Sequence, residues 1–219
     1  MLTVACVLKA GGEFKPAHVD ALCTRVKRHL NTPHRFVCLT DIEHLVSREI
    51  DVMRLENNWP GWWSKIELFA HNFGGPVLYM DLDTIPCGPL DGLGNGDGFT
   101  MLENFWRPDR VGSGLMAWDM DLTSIYRDFC RAPQAYMVEY TTPDKWGDQA
   151  FIWKHSPVQP RRFQKRFPGR IVSYKMHCRP GMDPKAPTSG DIKVPDGACI
   201  IAFHGQPRPW HTPLWKADL

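Results

Sequence analysis

Asp81 and Asp83 stand two residues apart at the end of an apolar run, Val77-Leu78-Tyr79-Met80, which follows a Gly74-Gly75-Pro76 break. Such a run after a breaker reads as a buried strand. Residues at i and i+2 of a strand point to the same side, so the two carboxylates face one space. Desolvated next to each other they repel, and a divalent cation between them relieves the repulsion. A cation held in this way can in turn hold a diphosphate.

The elements around this pair follow from spacing. Residues 3–8 read as a first strand, ending near Lys9 and Gly11-Gly12. Between 16 and 30, Val19, Leu22, Val26 and Leu30 recur at helical spacing, with Lys27, Arg28 and His29 in the last turn. Residues 35–40 form a second strand closed by Asp41, and 51–55 a third. Residues 62–71 read as a helix leading into the acidic strand. Beyond it, 98–103 and 114–118 are strands, and Asp121 is placed to cap a helix through Arg131. A short helix is expected over 146–154 and late strands over 170–174 and 198–203. Strands alternating with helices up to residue 85 imply an α/β fold with a mostly parallel sheet and helices on both faces. In such sheets ligands bind at the carboxyl ends of the strands, where Asp81 and Asp83 lie.

The bulk properties narrow the classes. The chain has 219 residues, enough for one sizeable α/β domain and short for two. We expect a single unit over 1–219, with a nucleotide-binding half over 1–85 and an acceptor-side half over 86–219. A net charge of +2 offers no basic field for nucleic acid. No apolar run approaches a membrane span, and the N-terminus lacks the basic start of a signal peptide. Seven cysteines, scattered and never spaced as CxxC, read as reduced core residues of a cytoplasmic protein. Prolines crowd the chain after residue 156, among them Pro180, Pro184 and Pro187, so the final third is expected to be loop-rich. The region 156–198 is expected to shape an acceptor site. The basic run 161–166 reads as a solvated face.

Four sequence pieces then line up in order. Asp81-Leu82-Asp83 resembles the DxD motif of GT-A-fold (Rossmann-like), nucleotide-sugar-dependent glycosyltransferases. Ser113-Gly114-Leu115-Met116-Ala117-Trp118 resembles the strand that follows it in the glycogenin and bacterial galactosyltransferase group. Gly147-Asp148-Gln149 is similar to that group's Asp-Gln element, and Phe203-His204-Gly205-Gln206-Pro207-Arg208-Pro209-Trp210 to its C-terminal histidine segment. The resemblance covers about residues 3 to 210. There are departures: Gly112 stands where the group has Asn, Arg208 where it has Lys, and the histidine segment is two residues shorter. They suggest a short, divergent branch.

The resemblance implies a transferase that moves a sugar, as a hexosyltransferase does, from a nucleotide diphosphate donor, UDP-linked, to an acceptor. That acceptor is a glycan, a lipid-linked sugar or a protein, and configuration in the group is usually retained. Asp81, Asp83 and His204 would hold Mn²⁺ or Mg²⁺, the imidazole suiting Mn²⁺ better. Lys65 and Arg208 would meet phosphate oxygens, Gly205 would let backbone approach them, and Ser113 and Gly114 would lie near the donor. Lys9 and Asp41 would lie near base and ribose, and Asp148 and Gln149 would act on the donor sugar.

Each residue also has a plainer reading. The two aspartates could cap turns, His204 could be a core histidine, Asp148 a helix-start charge and Lys65 a solvated helix residue. Trp62, Trp63, Trp106 and Trp210 are candidates to stack on a sugar or base, and each alone also reads as packing. Two rival functions stand beside the transferase. One is a haloacid-dehalogenase-like phosphatase with Asp81 as nucleophile, although that motif usually lies on the first strand of its chain. The other is a non-catalytic nucleotide- or carbohydrate-binding module.

Overall fold

The structure is a computed structural model that describes residues 1–42, 47–95, 98–179 and 192–217. The first half runs β1 (Leu2–Leu8), α1 (Pro16–His29), β2 (His34–Thr40), β3 (Asp51–Arg54), a 3₁₀ segment (Gly61–Ala70), β4 (Val77–Met80) and β5 (Thr84–Pro86). Then come β6 (Phe99–Glu103), β7 (Val111–Trp118), α2 (Thr123–Arg131), α3 (Pro133–Tyr140) and α4 (Asp148–His155). The final third holds β8 (Arg161–Arg162), α5 (Phe163–Arg166), β9 (Ile171–Ser173), a π-helical turn (Tyr174–Cys178) and β10 (Ile200–Ala202).

The central sheet has the order β3-β2-β1-β4-β7-β6-β8. β1 to β4 run parallel, β7 runs antiparallel to β4 and β6, and β8 pairs in parallel with β6. The apolar run of β1 is explained by burial on both faces. Val4, Cys6 and Leu8 pack with Val19, Leu22 and Val26 of α1 on one side. Ala5 joins Ile66 and Phe69 of the 3₁₀ segment, Phe129 of α2 and Phe151 of α4 on the other. A smaller sheet, β5-β10-β9, carries a third cluster around Ile85, Tyr174 and Ile201. The expected α/β architecture with helices on both faces is present.

Several details differ from the sequence reading. The segment before β4 is a 3₁₀ helix, and Trp63 through Phe69 are all buried along it, so that only its ends, Gly61, Trp62 and Ala70, are exposed. The helix after β7 starts at Thr123, and the Asp121 carboxylate accepts from the Thr123 N–H at 2.8 Å. α3 was not anticipated. The basic run 161–166 is solvated at Arg161 and Lys165, but Phe163 is fully buried and Arg166 donates to Thr100 Oγ1 at 2.8 Å. Burying one Phe stabilises by about 2–3 kcal/mol, enough to hold the run against β6. Pro180, Pro184 and Pro187 lie outside the described residues. All seven cysteines are free thiols. Among the described residues no helix is long and apolar enough to cross a membrane.

Candidate active site

The strand ends converge on a cleft of about 1140 Å³. β4 delivers Asp81 to it, and β7 runs alongside, so that the Asp81 N–H donates to Gly114 O at 2.9 Å. Gly114 faces the carboxylate itself. A Cβ there would stand 3.2 Å from Asp81 Oδ2, so a side chain at this position would press on it.

Lys65 is the centre of the charge arrangement. Its ammonium lies 2.9 Å from Asp81 Oδ1, 3.2 Å from Asp148 Oδ2 and 3.0 Å from Ser113 Oγ. Ser113 in turn donates to Asp148 Oδ2 at 2.6 Å. Burial alone would lower the Lys65 pKa, but the Asp148 and Asp81 carboxylates outweigh it and hold it above the ordinary lysine value. Lys65 is therefore a buried ion-pair residue, and the solvated-helix alternative is set aside. Asp148, at the first turn of α4, is buried too, with one oxygen shared by two donors. Its neighbour Gln149 lines the cleft.

Asp83 is buried and paired with Arg208, which also bonds Glu13. Burial and the nearby Asp81 charge raise the Asp83 pKa above the ordinary carboxylate range, against the pull of Arg208 and Lys65. At the far end, Lys9 bonds Asp41 and donates to Asn58 Oδ1 at 2.9 Å, and the Ala10 N–H donates to Asp41 Oδ1 at 2.7 Å. The Lys9–Asp41 pairing thus joins the ends of β1 and β2.

His204 lines the same cleft but is turned to other partners. Its Nε2 lies 2.7 Å from Ser173 Oγ, and Trp106 Nε1 donates to its Nδ1 at 3.4 Å. Burial and the charge of Lys175 lower its pKa to about 4, so the ring is neutral at pH 7. Gly205 follows with φ +72°, a conformation that suits glycine, and Lys175 Nζ donates to His204 O at 2.7 Å. Among the described residues, no three His, Cys, Asp or Glu side chains are gathered as a metal-holding group. Asp81 and Asp83 fit a divalent cation by their chemistry: both offer hard oxygen donors, and their mutual repulsion is what a cation relieves. His204 is not gathered with them as a ligand set, and to ligate it would have to give up Ser173 at Nε2 or Trp106 at Nδ1.

Three contacts escaped the sequence reading. Tyr79 donates to Asp81 Oδ1 from the same strand, which the i, i+2 rule allows. Glu13 follows Gly11-Gly12 with no further mark, and nothing in sequence links Ser173 to His204. Among the described residues, none between 156 and 198 lines the cleft, so the described part of that region does not supply the expected acceptor wall; residues 180–191 lie outside the described residues. The rim comes instead from residues 103–106 and 141–149. Of the four tryptophans, Trp63 is in the core and Trp210 stacks on His18 with ring centres 4.0 Å apart, whereas Trp62 and Trp106 are exposed at the cleft.

No family model matches the sequence, and no curated protein matches it. Solved structures do match. The galactosyltransferase LgtC, in complex with donor and acceptor sugar analogs, aligns with a TM-score of 0.62 at 11% identity, covering 95% of this chain and 89% of LgtC. The apo form of the glycosyltransferase GlyE in Streptococcus pneumoniae TIGR4 aligns with a TM-score of 0.62 at 15% identity. The chain has a glycosyltransferase fold. It spans 95% of its own length but only 55% of GlyE.

Proposed function

We propose that this chain is a metal-dependent glycosyltransferase that takes a sugar from a UDP-linked donor and delivers it to an acceptor, with retention of configuration. The observation that carries this reading is the pairing of half-buried Asp81 with buried Asp83 at the carboxyl end of the sheet, held with Lys65 in one cleft. In this reading the chain works as one catalytic unit in the cytoplasm, and its motifs set it beside the glycogenin and bacterial galactosyltransferase group.

Asp81 and Asp83 would hold Mn²⁺ or Mg²⁺, with His204 as a further ligand. When bound, such a cation stabilises the negative charge that grows on a leaving diphosphate. The chain's own residues prepare for that charge. Lys65 fixes the Asp81 carboxylate and, through Asp148, the start of α4, so the first turn that carries Gln149 is held toward the cleft. Arg208 keeps Asp83 neutralised until a ligand arrives and then has a guanidinium free for phosphate oxygens. Lys9 and Asp41 present an amine and a carboxylate to base and ribose, and Ser113 and Gly114 border the donor. Gly205 leaves the backbone open to phosphate. Asp148 and Gln149 act at the donor sugar, Asp148 through Lys65 and Ser113 and Gln149 by contact.

The test is calorimetric titration of UDP, then GDP, with and without Mn²⁺, on the wild type and on Asp83→Ala. Mn²⁺-dependent binding of UDP that is lost in the variant is the expected result. Absence of binding by either nucleotide with Mn²⁺ present would overturn the reading.

A further inference from the structure

The described residues expose seven large apolar side chains: Met1, Val52, Trp62, Trp106, Val138, Val158 and Met176. Two of these are aromatic, Trp62 at 54% and Trp106 at 47% exposure, and both line the active-site cleft. The other five do not. An indole left half in water forgoes a large burial gain unless something covers it.

Both rings are held in place. Trp62 lies against the backbone just before α4: a Cβ on Gly147 would come 2.8 Å from its Nε1, so only glycine admits the ring there. Trp106 is fixed by its N–H to His204 Nδ1 and by its backbone N–H, which donates to Asn104 Oδ1 at 3.0 Å. A fixed aromatic face costs little entropy when a ligand settles on it.

The surroundings select the ligand. Asn104, Thr141, Thr142 and Gln149 bring amides and hydroxyls to the same cleft. The lysine and arginine side chains that line the cleft are Lys9, Lys65 and Arg208, and each is paired with a carboxylate. At the rim, Lys145 does not line the cleft and pairs with Glu139, and Arg110 lies over the Trp146 ring. A pyranose, with an apolar C–H face and a ring of hydroxyls, finds both surfaces that it needs.

We infer that the acceptor is a carbohydrate whose sugar rings lie against Trp62 and Trp106 at the rim of the cleft. This rests on the transferase reading above, which the nucleotide titration of the wild type tests by itself. Saturation-transfer NMR with lactose, cellobiose and maltose as probes, in the presence of UDP and Mn²⁺, tests the acceptor site. Transfer to the ring C–H protons of at least one probe is expected. Trp62→Ala and Trp106→Ala should each weaken that binding by about tenfold or more, and Trp106→Phe should keep most of it. The Phe variant removes the bond to His204 but leaves a ring, so it separates stacking from any effect on His204. The inference is overturned if no probe receives transfer, if only one alanine variant loses it, or if Trp106→Phe fails as completely as Trp106→Ala. If nucleotide binds and the probes do not, the acceptor inference falls alone; if no nucleotide binds, both fall.

Discussion

Lys65 Nζ and Asp148 Oδ2 sit 3.2 Å apart with both side chains almost out of solvent, and the same ammonium reaches Asp81 at 2.9 Å. One buried cation therefore ties the strand that carries the acidic pair to the helix that carries Gln149. Removing it leaves buried Asp148 and half-buried Asp81 without this partner. Lys65→Met should cost about 3–5 kcal/mol of stability, read from urea unfolding. A double variant with Asp148→Asn should lose less than the sum of the two single losses. Additive losses would mean that the ion pair does not act as a unit.

Gly114 offers a gentler way to move Asp81. Its Cβ would meet Asp81 Oδ2 at 3.2 Å, a contact in which the carboxylate has to give way. Gly114→Ala should fold normally yet weaken Mn²⁺ binding about tenfold, measured by the free Mn²⁺ signal in electron spin resonance. Unchanged affinity would show that the carboxylate at this position does not ligate.

Ser173 holds His204 by its Nε2 at 2.7 Å. If His204 has to turn to join the metal, this bond opposes it. Ser173→Ala should then raise Mn²⁺-dependent nucleotide affinity by about threefold, roughly the loss of one modest hydrogen bond. A fall in affinity would instead mark Ser173 as a residue that positions the ring for binding.

Asp91 makes a prediction about acid. Its carboxylate accepts from the Thr32 hydroxyl at 2.6 Å, the Thr32 N–H at 2.8 Å and both nitrogens of Asn31, fixing the turn between α1 and β2. These bonds, led by the Thr32 hydroxyl, lower its pKa from 3.8 to about 2. A depressed folded value means that the stabilisation is whole above the unfolded pKa and is lost as pH falls toward the folded one. Stability should therefore drop between about pH 4 and pH 2 from this source, and the corresponding part of the slope should be missing in Asp91→Asn. Equal slopes in the two proteins would exclude the effect.

The parts of this fold that sequence made legible are those with a strong period. β1, α1 and β2 declare themselves because burial on one or two faces dictates which residues are apolar. Asp81 and Asp83 stood out by residue type and spacing, and both line the cleft, but they lie in the turn between β4 and β5 and not on the strand from which their common direction was expected. What stayed hidden depends on partners far along the chain. Arg208 meets Glu13 across 195 positions, and His204 meets Ser173 across 31. No local pattern encodes those meetings. α3 was missed because Val138 is exposed and of its residues only Tyr140 is fully buried, so it shows little apolar period. The run at 161–166 was read only in part, because its charges, exposed at Arg161 and Lys165, outnumber the single Phe163 that turns inward.

β8 has a meaning beyond its two residues. It closes one margin of the central sheet, and β3, with Asp51 and Arg54 exposed, closes the other. A strand from another molecule approaching β8 would find a ladder only two residues long and the charge of Arg161 beside it. Short, charged margins of this kind resist the sheet-to-sheet addition that drives aggregation. The basic stretch thus guards a large, strongly apolar sheet against growth from its edge, and Arg161→Val with Arg162→Val would remove that guard.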